Sequence, residues 1–155
     1  SEEYLYGEGK RKIDKYTTSA ICMFTIINII DINEEYGRHT GNEVIRKISE
    51  LVKQNIASEY VFVRYMGPKF VIVFSGIEIQ DVTDFMNQLK QKIENMEVEQ
   101  AEEDLYEDEE VQIVKPKINA VMTTYYKGTA MGGVTKKLEE YLDNADKKES
   151  AVNYI

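Results

Sequence analysis

The chain has 155 residues, a formal net charge of −9 and 43% hydrophobic residues, enough for one packed domain. That acidity excludes general nucleic-acid binding, which needs a basic surface, and the single cysteine, Cys22, excludes an internal disulfide. The main apolar run, residues 20–30, falls short of the ~20 residues a bilayer span requires, so no membrane contact by this domain is expected.

Residues 1–17 read as a polar lead-in. Residues 19–30 are apolar and β-branched on both parities, which predicts a central strand covered on both faces. Ile32 and Tyr36 mark a short helix closed by Gly37, and Val44, Ile45, Ile48, Leu51 and Val52 predict an amphipathic helix from near Thr40. Two apolar runs, YVFVRYM and KFVIVFSG, meet at Gly67-Pro68 as a hairpin, with proline where no ladder hydrogen bond is required. Val82, Phe85, Met86, Leu89 and Ile93 form the face of a further helix, with Asp81 as its cap.

Residues 94–110 carry ten acids and no Lys or Arg. Taking those ten from 28 leaves 18 acids against 19 bases, so the body of the domain is near neutral. The run reads as a solvated, mobile loop, with an acidic docking surface for a basic partner as the other reading. Residues 111–128 predict one long strand with Pro116 near its start. Residues 132–148 predict a last helix with Val134, Leu138, Tyr141, Leu142 and Ala145 facing inward, and residues 151–155 a short strand. The order β-α-α-β-β-α-β-α-β defines an α/β (α+β) sandwich, a mixed sheet with helices on both faces.

Several residues carry no chemistry in this reading. Cys22 lies in an apolar run and packs as a small hydrophobe. His39 is a surface or capping residue, and the eleven tyrosines, Tyr125 and Tyr126 among them, lack the basic interleaving of a base-stacking platform. The GTAMGG stretch of residues 128–133 lacks the Lys-Ser/Thr of a phosphate loop.

The hairpin RYMGPKF resembles the signature of the GGDEF domain family, R-Y-G-G-D/E-E-F. Arg64, Tyr65, Gly67 and Phe70 match, whereas Met66, Pro68 and Lys69 do not. Upstream, residues 24–45 lie without a gap on the family's L-D-x-D-x-F-K-x-I-N-D-x-x-G-H-x-x-G-D-x-x-L. Ile32, Asn33, Gly37, Gly41 and Ile45 match, with Glu34 and Asn42 as close replacements. The resemblance covers nearly the whole chain as a single domain, residues 1–155, and implies a nucleotidyl-cyclase-like palm with a five-stranded central sheet.

Active members of that family join two GTP molecules into cyclic di-GMP across a homodimer, using carboxylates on a divalent metal. Carried over by position, the metal aspartates become Thr25 and Ile27, the acidic hairpin ligand Pro68, its acidic neighbour Lys69 and the phosphate lysine Ile30. Met66 stands where the family has glycine. Asp146 stands where a terminal lysine touches phosphate, with Lys147 and Lys148 nearby. The inhibitory product site R-x-x-D maps onto Ala57 and Tyr60, so it is expected to be absent. Asn33 and Asn42 keep amide groups on the guanine side, and each also has a purely structural reading as a partner of backbone groups.

The resemblance therefore implies a catalytically inactive GGDEF-like domain, with no catalytic residue, metal or cofactor, that serves as a regulatory or protein-interaction module in bacterial nucleotide signalling. Its partners would be other domains of the same polypeptide or a separate protein, with a homodimer left open. A second reading keeps GTP or ATP binding through Asn33, Asn42 and Lys69, with Mg²⁺ only in that case. A third keeps weak nucleotide hydrolysis, for which no general base is evident. The chain begins without Met and carries no signal-peptide pattern, so the expectation is a cytoplasmic domain of a larger signalling protein.

Overall fold

A computed structural model describes residues 1–155. Its central strand is β1 (Thr18–Ile26), flanked antiparallel by β3 (Lys69–Ser75) and by β6 (Ile118–Tyr126). β2 (Val61–Arg64) pairs antiparallel with β3, and β7 (Val152–Tyr154) pairs parallel with β6. The result is a mixed five-stranded sheet in the order β2-β3-β1-β6-β7.

Both parities of β1 are apolar because both faces of the sheet are covered. Ala20, Cys22, Phe24 and Ile26 point to one core, shared with α3 (Ile29–Tyr36), α4 (Arg38–Asn55) and α5 (Ile79–Glu94). Ile21 and Met23 point to the other, closed by α6 (Met131–Asn144) and two N-terminal helices, α1 (Glu2–Tyr6) and α2 (Glu8–Ile13). Each fully buried Ile, Val or Phe here contributes about 1.5–3 kcal/mol by leaving water. No helix is long and apolar enough to cross a membrane.

The structure departs from the sequence expectations in seven places. β1 ends at Ile26, so Ile29 and Ile30 open α3 instead of extending the strand, and α6 ends at Asn144, which leaves Ala145 at its C-cap and residues 146–148 beyond the helix. The lead-in is helical and docked, since Leu5 and Ile13 are fully buried in the second core. Helix α4 begins at Arg38, directly after Gly37, rather than near Thr40. Helix α5 starts at Ile79 behind Glu78, which puts Asp81 in its first turn; a carboxylate there still meets the positive end of the helix.

The predicted long strand is split. Pro116 has no N–H to give a ladder, so β5 (Ile113–Val114) pairs instead with β4 (Val98–Glu99) in a separate two-stranded ribbon. The acidic run is also anchored rather than wholly solvated. Glu94 closes α5, and its carboxylate accepts from the Ile118 N–H at 3.1 Å, from Lys90 at 3.0 Å and from the Ser150 hydroxyl. Val98 and Gln100 are buried, and a 3₁₀ turn over Glu102–Asp104 brings Asp104 to the start of α4.

Candidate functional site

Each matching hairpin residue has a local job at the tip between β2 and β3. Gly67 takes φ 58°, a left-handed value that costs glycine nothing. The turn closes when Lys69 N donates to Met66 O at 3.1 Å and Tyr65 N to Lys69 O at 2.9 Å. Arg64 Nε donates to Gly67 O at 2.9 Å, which braces the tip. Phe70 is fully buried and stacked against Phe24 and Phe62, with ring centroids 5.0 and 5.8 Å away. Met66 is exposed at the tip.

The tip lies against the end of β1. Thr25 stands opposite Lys69 in the ladder, and Ile26 N donates to Pro68 O at 3.2 Å. The first-strand and hairpin positions singled out in the sequence are thus brought together. Beside them opens a cavity of about 390 Å³, which Thr25, Pro68, Lys69, Asn119, Asp143 and Asp146 help to line. Ile30, at the family's phosphate-lysine position, also borders it, as does Lys147, whereas Lys148 does not.

Lys69 governs the electrostatics of this place. Its ammonium lies 2.9 Å from Glu139 Oε2 and 3.0 Å from Asp143 Oδ1, two carboxylates one turn apart on α6. Burial works against the charged lysine, but the bonds to Glu139 and Asp143 outweigh it and hold the group above its ordinary range. The cation is neutralised inside the fold. The residues at the inferred metal positions, Thr25, Ile27 and Pro68, do not fit Mg²⁺, which takes several hard oxygen ligands in octahedral array. No grouping of three or more His, Cys, Asp or Glu side chains in the chain is arranged to hold a metal ion.

Asn33 and Asn42 lie apart from that cavity, and both are exposed. The Asn33 carboxamide rests over Gly41, in the space that a Cβ on Gly41 would fill. Ala57 is exposed. Tyr60 is half-buried, edge-on to Phe74 at 5.3 Å, and both line a largely apolar hollow of about 350 Å³.

Sequence reasoning missed three features around the site. Glu139 and Asp143 sit at i, i+4 on one helix face, a spacing that marks them as neighbours able to share one cation. Tyr6 of α1 reaches the hairpin, its hydroxyl 2.8 Å from that of Tyr65 and 2.9 Å from Thr135 Oγ1. Burial pushes the Tyr6 hydroxyl up to about 12, so it stays protonated in this network. The spacing of Leu5, Gly9 and Ile13 was the available signal for a docked lead-in. The third feature is Asp104, which accepts from Thr40 N at 2.6 Å and Thr40 Oγ1 at 2.7 Å, and nothing local in the sequence pairs residues so distant.

A nucleotidyl-cyclase-like palm with a signature hairpin set against the end of its first strand defines a class. The sequence profile described as "Diguanylate cyclase, GGDEF domain" matches residues 2–151, so the chain belongs to the GGDEF domain family. The chain is 28% identical to the diguanylate cyclase DosC of Escherichia coli over 86 residues, which is 55% of this chain and 18% of DosC. The GGDEF domain of DgcB from Caulobacter crescentus, solved with c-di-GMP, superposes with a TM-score of 0.82 at 14% identity, covering 99% of this chain and 86% of that one. The diguanylate cyclase SiaD of Pseudomonas aeruginosa, solved with its activator SiaC, gives 0.82 at 11% identity over 99% of this chain and 58% of that one.

Proposed function

We propose that this domain is a catalytically inactive GGDEF domain that acts as a regulatory or protein-interaction module in bacterial nucleotide signalling. The observation that carries the reading is the Lys69 ammonium, clasped by Glu139 and Asp143 beside Thr25. At Thr25, Ile27 and Pro68 a divalent ion would find no carboxylate oxygen, and the lysine ammonium already sits between Glu139 and Asp143. The carboxylates that could attract an ion are already paired with the lysine. The same pairing withholds Lys69 from a triphosphate, which weakens the nucleotide-sensor reading as well.

In this reading the domain works through surfaces rather than chemistry, as part of a longer polypeptide. Its partners are neighbouring domains or a separate protein, in the way that SiaD takes SiaC. Incubation of the purified chain with GTP and Mg²⁺, followed by anion-exchange chromatography, tests the claim. The expected trace matches a heat-denatured control; cyclic di-GMP or GDP above that control contradicts it.

A further inference from the structure

We infer that the hollow between the end of α3 and the acidic insertion binds an arginine-bearing segment of a protein partner. The inference deepens the interaction-module reading and rests on it. The hollow measures about 360 Å³, and Glu34, Glu35, Glu103, Asp104 and Glu109 line it without any Lys or Arg. Asp104 is committed to the start of α4 through Thr40. Glu103 has one distant ion-pair contact, His39 at 3.8 Å, and Glu34, Glu35 and Glu109 make none. The C-terminal end of α3 adds its negative dipole to the same space.

Acidic residues alone would be a solvated patch. Gln100 is what makes this a site. It is only 8% exposed and lines the hollow, its Nε2 donates to Tyr36 O at 3.0 Å, and its Oε1 has no partner. Turning the amide over would set two acceptor oxygens against each other, so the orientation is fixed by the Tyr36 carbonyl. A buried acceptor left unpaired is costly and calls for a donor.

Carboxylates spread round a hollow, together with an unpaired amide oxygen, call for an extended cation with several donors. A guanidinium supplies five N–H groups and a permanent charge. Tyr106, on the rim and 79% exposed, offers the ring face on which such a plane stacks. A bare metal ion is the wrong occupant, because the carboxylates do not converge on one point. Nucleic acid and anionic lipid are repelled by the same charge.

The test is amide chemical-shift mapping of the full chain at physiological ionic strength, with hexa-arginine and hexa-lysine peptides as probes. Shifts are expected to cluster on residues 34–37 and 100–109, with hexa-arginine binding about tenfold tighter than hexa-lysine. The exposed substitutions E34Q/E35Q/E103Q/E109Q remove binding, whereas E59Q/D84N/E140Q/E149Q, with the same change in charge, keep it. Equal weakening by both sets, shifts scattered over the surface, equal affinity for the two peptides, or no binding at all would overturn the inference. None of those outcomes bears on GTP turnover, so the inactive-domain reading stands or falls separately.

Discussion

Lys69, at the start of β3, holds Glu139 of α6 across the site at 2.9 Å, a residue pair separated by 70 positions in the chain. The lysine occupies a hairpin position where the family resemblance places an acid, and two acids of α6 gather round it. The charge pattern is inverted: a fixed cation sits inside, and the surrounding carboxylates serve it. Both carboxylates are thereby engaged by a side chain of the same fold.

That arrangement predicts a measurable coupling. Replacing Lys69 by Met leaves Glu139 and Asp143 facing each other without a counter-charge. The pair is partly exposed, Lys69 at 16% and Glu139 at 24% of their side chains, so solvent screens it. The cost is expected to be about 1–2 kcal/mol. A double-mutant cycle of Lys69→Met with Glu139→Gln, read by urea unfolding, is expected to show a coupling of about 1 kcal/mol. A coupling within error of zero would remove the ion pair from the account.

Glycines 37 and 41 are expected to respond differently to alanine. Gly37 has φ 107°, and a Cβ there would strike the Asp104 carboxylate that bonds Thr40 at the start of α4. Gly37→Ala is expected to lose about 2 kcal/mol, and Asp104→Ala about 1 kcal/mol. At Gly41 the new methyl meets only the exposed Asn33 side chain, which can swing aside, while the helix interior favours alanine by about 1 kcal/mol. Gly41→Ala is therefore expected to be nearly neutral in thermal unfolding. A larger loss at Gly41 than at Gly37 would show that Asn33 is held in place.

Acid should loosen the joint between α5, β6 and the C-terminal segment. Burial raises the affinity of Glu94 for a proton, but the bonds from Ser150, the Ile118 N–H and Lys90 outweigh it and hold the carboxyl below its usual range. A depressed folded value means the stabilisation is present above the unfolded value of about 4.3 and is lost as pH falls through the lower, folded one. Chemical denaturation as a function of pH is expected to show stability declining over that window. In Glu94→Gln the decline is expected to be shallower; an unchanged slope would assign acid sensitivity to other carboxylates.

Much of the fold was legible because its signals are local. The two-sided apolar run of β1, the i, i+4 face of α4 and the Gly67-Pro68 tip each dictate an element from neighbouring residues, and each element formed, although β1 stops at Ile26 and α4 starts at Arg38. The split of β5 from β6 was also within reach, since Pro116 cannot feed a ladder hydrogen bond. What escaped depends on distant partners. Nothing near Asp104 announces that it will meet Thr40, and nothing in PKF shows that Lys69 will lie between Glu139 and Asp143. The acidic run misled for the same reason. Ten acids within residues 94–110 suggest repulsion, yet Glu94 and Asp104 are held by backbone N–H groups that only the folded chain supplies.

The most direct test of the central claim is an isothermal titration of the purified chain with GTP in the presence of Mg²⁺. The ion-paired Lys69 and the lack of a carboxylate at Thr25, Ile27 and Pro68 predict heats no larger than those of dilution. Saturable, Mg²⁺-dependent binding would contradict the account, because it would require a metal–triphosphate complex to displace Lys69 from Glu139 and Asp143.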